Sequence, residues 1–131
     1  MILNETFTLK SGLTIPKLGL GTWFIDDGAA AETVRSAVEL GYRLIDTAQA
    51  YGNERGVGEG VRTCGVAREK LFVASKVAAE LKTYEEAAES IDETLRKMGL
   101  DYLDQVIVHS PQPWKEFRTE KRYFEENRAV W

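Results

Sequence analysis

The 131-residue chain carries one cysteine, one histidine and three prolines. A lone cysteine, Cys64, excludes an internal disulfide and fits a reducing compartment. One histidine and one cysteine cannot build a zinc-type ligand set, so no metal is expected. No apolar run approaches the roughly 18 residues of a membrane span. The opening residues MILNETFTLK lack the charged-then-apolar layout of a signal peptide, and a cytoplasmic protein is expected. Basic residues are outnumbered by acidic ones, 17 to 21, and a net charge of −4 gives no electrostatic footprint for nucleic acid. Membranes and nucleic acids are therefore not expected partners. No low-complexity stretch or linker interrupts the chain, and residues 1–131 read as a single domain. That length, with 44% hydrophobic residues, can bury a core.

What the chain does contain is an alternation of strands and helices. Residues 5–8 and 14–18 flank Ser11-Gly12 and read as a short hairpin. A first parallel strand follows at Leu18–Trp23, with Asp26, Asp27 and Gly28 as turn and cap residues. A helix is expected over about 29–40, with Val34, Ala37 and Val38 on one face and Gly41 as its stop. Arg43–Ile45 is the second strand. Asn53 can cap a helix over roughly 54–63. The third strand is 71–75. Thr83 followed by Glu86 is a capping-box signature. The helix behind it places Tyr84, Ala87, Ile91, Leu95 and Met98 at three- and four-residue steps, and Gly99 ends it. The fourth strand is about 103–108. Strands alternating with helices imply a parallel sheet with right-handed crossovers. Four such units are half of an eightfold barrel, which typically needs ~250 residues. Beyond Pro111 the chain becomes charged and helix-like and stops at Trp131 without a cap, which reads as the cut end of a longer enzyme.

Each of three strands runs into a residue that can hold or move a proton. Ile45 precedes Asp46, with Tyr51 five residues on; Ser75 precedes Lys76; Val108 precedes His109. In a parallel sheet these strand ends share one face, where chemistry is placed. An ammonium beside a phenol favours the phenolate, and a carboxylate beside the ammonium holds it. Tyr51 is thus a candidate proton donor, Lys76 its tuner and Asp46 the holder of Lys76. His109 could orient a substrate carbonyl. Such a set suits a reaction that creates an alkoxide, such as carbonyl reduction. Each residue alone has a plainer reading: Asp46 as a turn residue, Lys76 as a solvated strand-end charge, His109 as a satisfied loop histidine, and Tyr51-Gly52 as a packing aromatic and a turn. Their coincidence on successive strand ends favours an active site. Gly56, Gly58 and Gly60 do not follow a strand and do not form a dinucleotide fingerprint; they read as close helix packing.

At these residues the chain resembles the aldo-keto reductases. The resemblance runs through most of residues 5–114. It is carried by Lys17-Leu18-Gly19-Leu20-Gly21-Thr22-Trp23, by Gly41-Tyr42-Arg43-Leu44-Ile45-Asp46-Thr47-Ala48, by Tyr51-Gly52-Asn53-Glu54, by Ser75-Lys76 and by Asp101-Tyr102-Leu103-Asp104. Within the family the chain is most similar to the bacterial 2,5-diketogluconate reductase type. The resemblance implies a (β/α)8 barrel of the TIM type, closed at its bottom by the hairpin and represented here by its first four units. It implies NADPH-dependent reduction of a small aldehyde or ketone, with the family's tetrad on Asp46, Tyr51, Lys76 and His109. It places Gly21, Thr22 and Asp46 near the cofactor, and Trp23 and Trp114 in the substrate pocket. Many relatives carry Trp-Pro after the histidine, where this chain has Ser110-Pro111, so a smaller or more polar pocket wall is expected and the resemblance does not fix the substrate preference.

The resemblance implies that the missing half supplies most of the cofactor site, so these 131 residues alone are expected to be inactive. A whole enzyme of this kind is expected to be a monomer, whereas the half, with unpaired first and fourth strands and a bared inner layer, is expected to self-associate. Two other readings compete. One is a non-catalytic binding or regulatory protein on the same scaffold. The other is a free-standing flavodoxin-like domain, for which Gly21-Thr22-Trp23-Phe24 offers aromatics where a phosphate loop is required.

Overall fold

A computed structural model describes residues 1–110. Trp114, expected in the substrate pocket, and the helix-like pattern beyond it lie outside the described residues. Strands β1 (Thr6–Thr8) and β2 (Thr14–Pro16) pair antiparallel as the expected hairpin, with Phe7 opposite Ile15. Four further strands follow: β3 (Gly19–Gly21), β4 (Leu44–Asp46), β5 (Phe72–Val77) and β6 (Gln105–Val108). They form one parallel sheet in the order β3-β4-β5-β6. Three helices connect them: α1 (Asp27–Glu39), α2 (Glu54–Thr63) and α3 (Tyr84–Met98). None of these is long and apolar enough to cross a membrane.

One face of the sheet meets the helices. Ile45 and Val73 are fully buried there against Ala30, Val34 and Val38 of α1, Val57 and Val61 of α2 and Met98 of α3. By strand alternation Asp46 and Lys76 lie on the opposite face. That face is less bare than the sequence suggests, because Phe72 and Ala74 are buried. The bared surface is β6, whose Val106, Ile107 and Val108 are all exposed.

The glycines of α2 let its neighbours approach. A methyl group at Gly56 would stand 2.1 Å from the Asp27 carbonyl oxygen, and one at Gly58 would stand 2.2 Å from that of Met98. Contact with α1 on one side and α3 on the other therefore requires glycine, as the sequence predicts.

The helix ends match expectation unevenly. The capping box on α3 is present in full: Thr83 Oγ1 accepts the Glu86 N–H, and Glu86 accepts the Thr83 N–H at 3.1 Å. Gly99 ends that helix with φ 64°. Tyr84, however, is 82% exposed, and Thr94 is buried on the face where the spacing places Tyr84. Helix α1 begins two residues early, and Asp26 caps it through its backbone carbonyl and not its side chain. Asn53 occupies the N-cap position of α2 but makes no side-chain cap bond. Asp27 does that work across the helix pair, accepting the Gly56 N–H at 2.7 Å.

Candidate active site

The parallel register sets the four strand ends side by side. Gly21 pairs with Asp46, and Lys76 with Ile107, two residues before His109. After β4 the chain makes a single 3-10 turn, Gln49–Tyr51, closed by Gly52 at φ 70°, which returns Tyr51 over the sheet end. The His109 N–H donates to the Val77 carbonyl at 3.0 Å and so extends the β5–β6 ladder by one residue.

Lys76 is the centre of the group. Its Nζ lies 2.7 and 2.8 Å from the two Asp46 carboxylate oxygens and 2.8 Å from the Thr47 carbonyl oxygen. Tyr51 Oη is 3.3 Å away. The Lys76 side chain is 12% exposed and that of Asp46 30%, so the pair is held out of most of the water yet open on one side. An ammonium has three N–H groups. Here it has four oxygen neighbours, and the tyrosine contact is the longest. The ammonium also sits 4.9 Å from the Tyr51 ring centroid, and the His109 ring meets that ring edge-on at 5.9 Å. The structure thus brings Asp46, Tyr51, Lys76 and His109 to one place, as their spacing predicts.

The residues expected near a cofactor and substrate divide. Gly21 is exposed at its strand end, and a methyl group there would meet open space. Thr22 is fully buried; its hydroxyl and its N–H both donate to the Asp46 carbonyl oxygen at 3.0 Å. Its side chain thus holds the end of β4 at Asp46. Trp23 is exposed and lies stacked 6.3 Å from Tyr51 and 4.4 Å from Phe24. Ser110, after the histidine, takes φ 50°.

Sequence reasoning missed a buried polar layer behind the site. Glu54 is 3% exposed and accepts the Ser75 hydroxyl at 2.7 Å and the Thr94 hydroxyl at 3.1 Å. Gln49 accepts the Ala78 N–H at 2.8 Å and donates to Ser90 and Thr94 of α3. Asn53 joins Thr47 to the loop after β3. The available signal was Gln49, Asn53 and Glu54 crowded around Tyr51, polar residues with no apolar period to explain them.

Residues 17–129 match the aldo/keto reductase family. The chain is 44% identical over 110 residues to the glyoxal reductase of Bacillus subtilis, covering 83% of this chain and 40% of that protein. It is 45% identical over 105 residues to the 9,11-endoperoxide prostaglandin H2 reductase of Trypanosoma cruzi, covering 79% of this chain and 37% of that protein. A crystal structure of an aldo/keto reductase from Brucella melitensis superposes with a TM-score of 0.82 at 39% identity, over 86% of this chain and 43% of the other. The chain thus spans about 40% of the length of these relatives. The four-stranded parallel sheet is part of the family's barrel, with the hairpin ahead of it. By sequence and by fold, this chain belongs to the aldo/keto reductase family.

Proposed function

We propose that this chain forms the proton-handling half of an NADPH-dependent carbonyl reductase of the 2,5-diketogluconate reductase type, and that the 131 residues alone do not turn over. They constitute one domain, the first four units of the barrel. The observation that carries the reading is Lys76 Nζ, bound at 2.7–2.8 Å to Asp46 and Thr47 and at 3.3 Å to Tyr51 Oη. With the ammonium donating to the phenol oxygen, the phenolic hydrogen is left to donate elsewhere. Its natural acceptor is a substrate carbonyl oxygen placed between Tyr51 and His109.

NADPH, when bound, supplies the hydride that the carbonyl carbon takes up. Tyr51 gives its proton to the carbonyl oxygen, so that hydride and proton together convert the C=O group to an alcohol. Lys76 faces the phenolate that remains and offsets its charge. Asp46 fixes the ammonium in place through both carboxylate oxygens. His109, at the edge of the Tyr51 ring, orients the same carbonyl oxygen. Gly21 and Asp46, side by side with open surface at the strand ends, suit the nicotinamide end of the cofactor. Its phosphates and adenosine would find their partners in the other half of the barrel. Trp23 lines the substrate side, and Trp114 is assigned there too.

The test is a chimera in which residues 1–110 replace the matching segment of the Bacillus subtilis glyoxal reductase. It should oxidise NADPH with small aldehydes. Tyr51→Phe should lower kcat by about 100-fold or more while leaving NADPH affinity within about twofold. Unchanged turnover in that variant removes Tyr51 from the chemistry. The 131-residue chain alone should show no tryptophan quenching with micromolar NADPH; strong quenching refutes the assignment of the cofactor site to the other half.

A further inference from the structure

Asn53 does not do what its position suggests. The N–H it would cap, that of Gly56, is already held by Asp27. Its carboxamide is instead fully buried between two loops. Nδ2 donates to the carbonyl oxygens of Thr22 and Ile25, both at 2.8 Å. Oδ1 accepts the Thr47 hydroxyl at 2.9 Å. Those two carbonyls belong to the first and last residues of one tight turn, closed by the Ile25 N–H on the Thr22 oxygen at 3.2 Å. The third residue of the turn is Phe24, with φ 63°. A turn with positive φ at its third residue ordinarily takes glycine or asparagine there, and a phenylalanine is strained. The Phe24 ring is exposed, so little burial offsets that strain. The second residue of the turn is Trp23, whose indole lies 22° from parallel with the Tyr51 ring.

We infer that Asn53 is a positioning residue: its carboxamide clamps the strained Trp23–Phe24 turn so that the indole stays against Tyr51 and walls the substrate side of the site. The clamp rests on geometry alone; only the naming of that wall as a substrate surface rests on the reductase reading. Asn53 thereby joins the Thr22 hydroxyl, which bonds the Asp46 carbonyl, in tying the turn bearing Trp23 to the end of β4 and to Thr47, whose carbonyl holds Lys76. The competing account is that the Phe24 ring, stacked on Trp23, holds the indole by itself.

Two variants of the 131-residue chain separate these, read by NMR. Asn53→Asp keeps an acceptor for Thr47 but sets carboxylate oxygen against the Thr22 and Ile25 carbonyls. The Ile25 amide should exchange at least about tenfold faster, because its turn opens locally, and the magnetisation-transfer contact between the Trp23 and Tyr51 rings should vanish. The Glu86 amide, inside the α3 capping box, should keep its protection and so report that the fold is intact. Phe24→Gly alone should leave the ring contact in place, because glycine accepts the positive φ and the clamp remains. Adding Phe24→Gly to Asn53→Asp should restore some of the contact. The inference is overturned if Asn53→Asp leaves Ile25 exchange and the ring contact unchanged, or if Phe24→Gly alone abolishes the contact. Should Asn53→Asp fail to fold, Phe24→Gly still decides. Neither measurement uses cofactor or substrate, so the clamp stands or falls separately from the turnover of the chimera.

Discussion

Alanine substituted at two glycines of this chain should move its stability in opposite directions. At Gly58 an added methyl group would stand 2.2 Å from the Met98 carbonyl oxygen, 2.3 Å from its Cα and 2.6 Å from its carbonyl carbon. All three atoms are backbone at the last residue of α3, so no side-chain rotation relieves the clash and the two helices must separate. Overpacking costs typically ~1–3 kcal/mol, and a backbone obstacle places Gly58→Ala near the upper end. Alanine recovers about 1 kcal/mol of helix propensity over glycine. The net loss is about 2 kcal/mol. For a domain of this size each kcal/mol moves Tm by roughly 3–5 °C, so Tm should fall by roughly 6–10 °C. Gly28, in the first turn of α1, has nothing within 4 Å of the same added methyl. Gly28→Ala gains about 0.4–1 kcal/mol from the restricted unfolded chain and should raise Tm by a few degrees. Gly60→Ala should fall between the two, because its obstacles on α1, Val34 Cβ at 2.6 Å and the Ala31 carbonyl oxygen at 2.9 Å, are fixed to the backbone but stand farther off than the Met98 atoms. Thermal unfolding followed by circular dichroism at one fixed pH measures all three. Equal or raised stability in Gly58→Ala would refute the reading of α2 as a helix gripped on both sides.

Two other outcomes follow from the hydrogen bonds. The Lys82 and Thr83 N–H groups hold the Glu86 carboxyl below its ordinary value of 4.5, so this capping contribution is complete above that pH and fades as pH falls through the folded value. The Tm gap between wild type and Glu86→Ala should therefore be constant above about pH 5 and narrow below about pH 4.5; a gap that widens on acidification contradicts it. Thr94→Val removes the hydroxyl that donates to Glu54 and accepts from Gln49. It should cost about 1–3 kcal/mol by urea unfolding, and a loss under about 0.5 kcal/mol would mean that Glu54 finds another donor.

The features legible in the sequence are those whose partners are local or fixed by strand period. Thr83 and Glu86 lie three residues apart, and the box they form is complete in the structure. Asp46 and Lys76 lie at the ends of their strands and His109 just beyond its own, and a parallel register alone brings those ends together. The glycines of α2 are read correctly because helix packing is the plain meaning of small residues off a strand. Asn53 misleads for the opposite reason. Its expected N–H is taken by Asp27, 29 residues before Gly56, and nothing in the local pattern announces that exchange. Tyr84 fits the helical step but precedes the packed turns of α3, while Thr94 breaks the apolar pattern because a buried carboxylate needs its hydroxyl.

That carboxylate explains how a site assembled from several loops keeps its geometry. Ser75 and Lys76 are neighbours on β5, and strand alternation sends them to opposite faces. Lys76 reaches Asp46 on one side, and Ser75 reaches Glu54 on the other. Glu54 is the first residue of α2, where the helix has N–H groups without intrahelical partners. Its remaining bonds go to Thr94 of α3. Gln49, two residues before Tyr51, bonds the backbone just beyond β5 and the same stretch of α3. The strand that carries the ammonium and the turn that carries the phenol are thus anchored to one helix. Any shift of α3 would move Lys76 and Tyr51 together, so the 3.3 Å contact between them survives motions that would pull independently anchored groups away from each other.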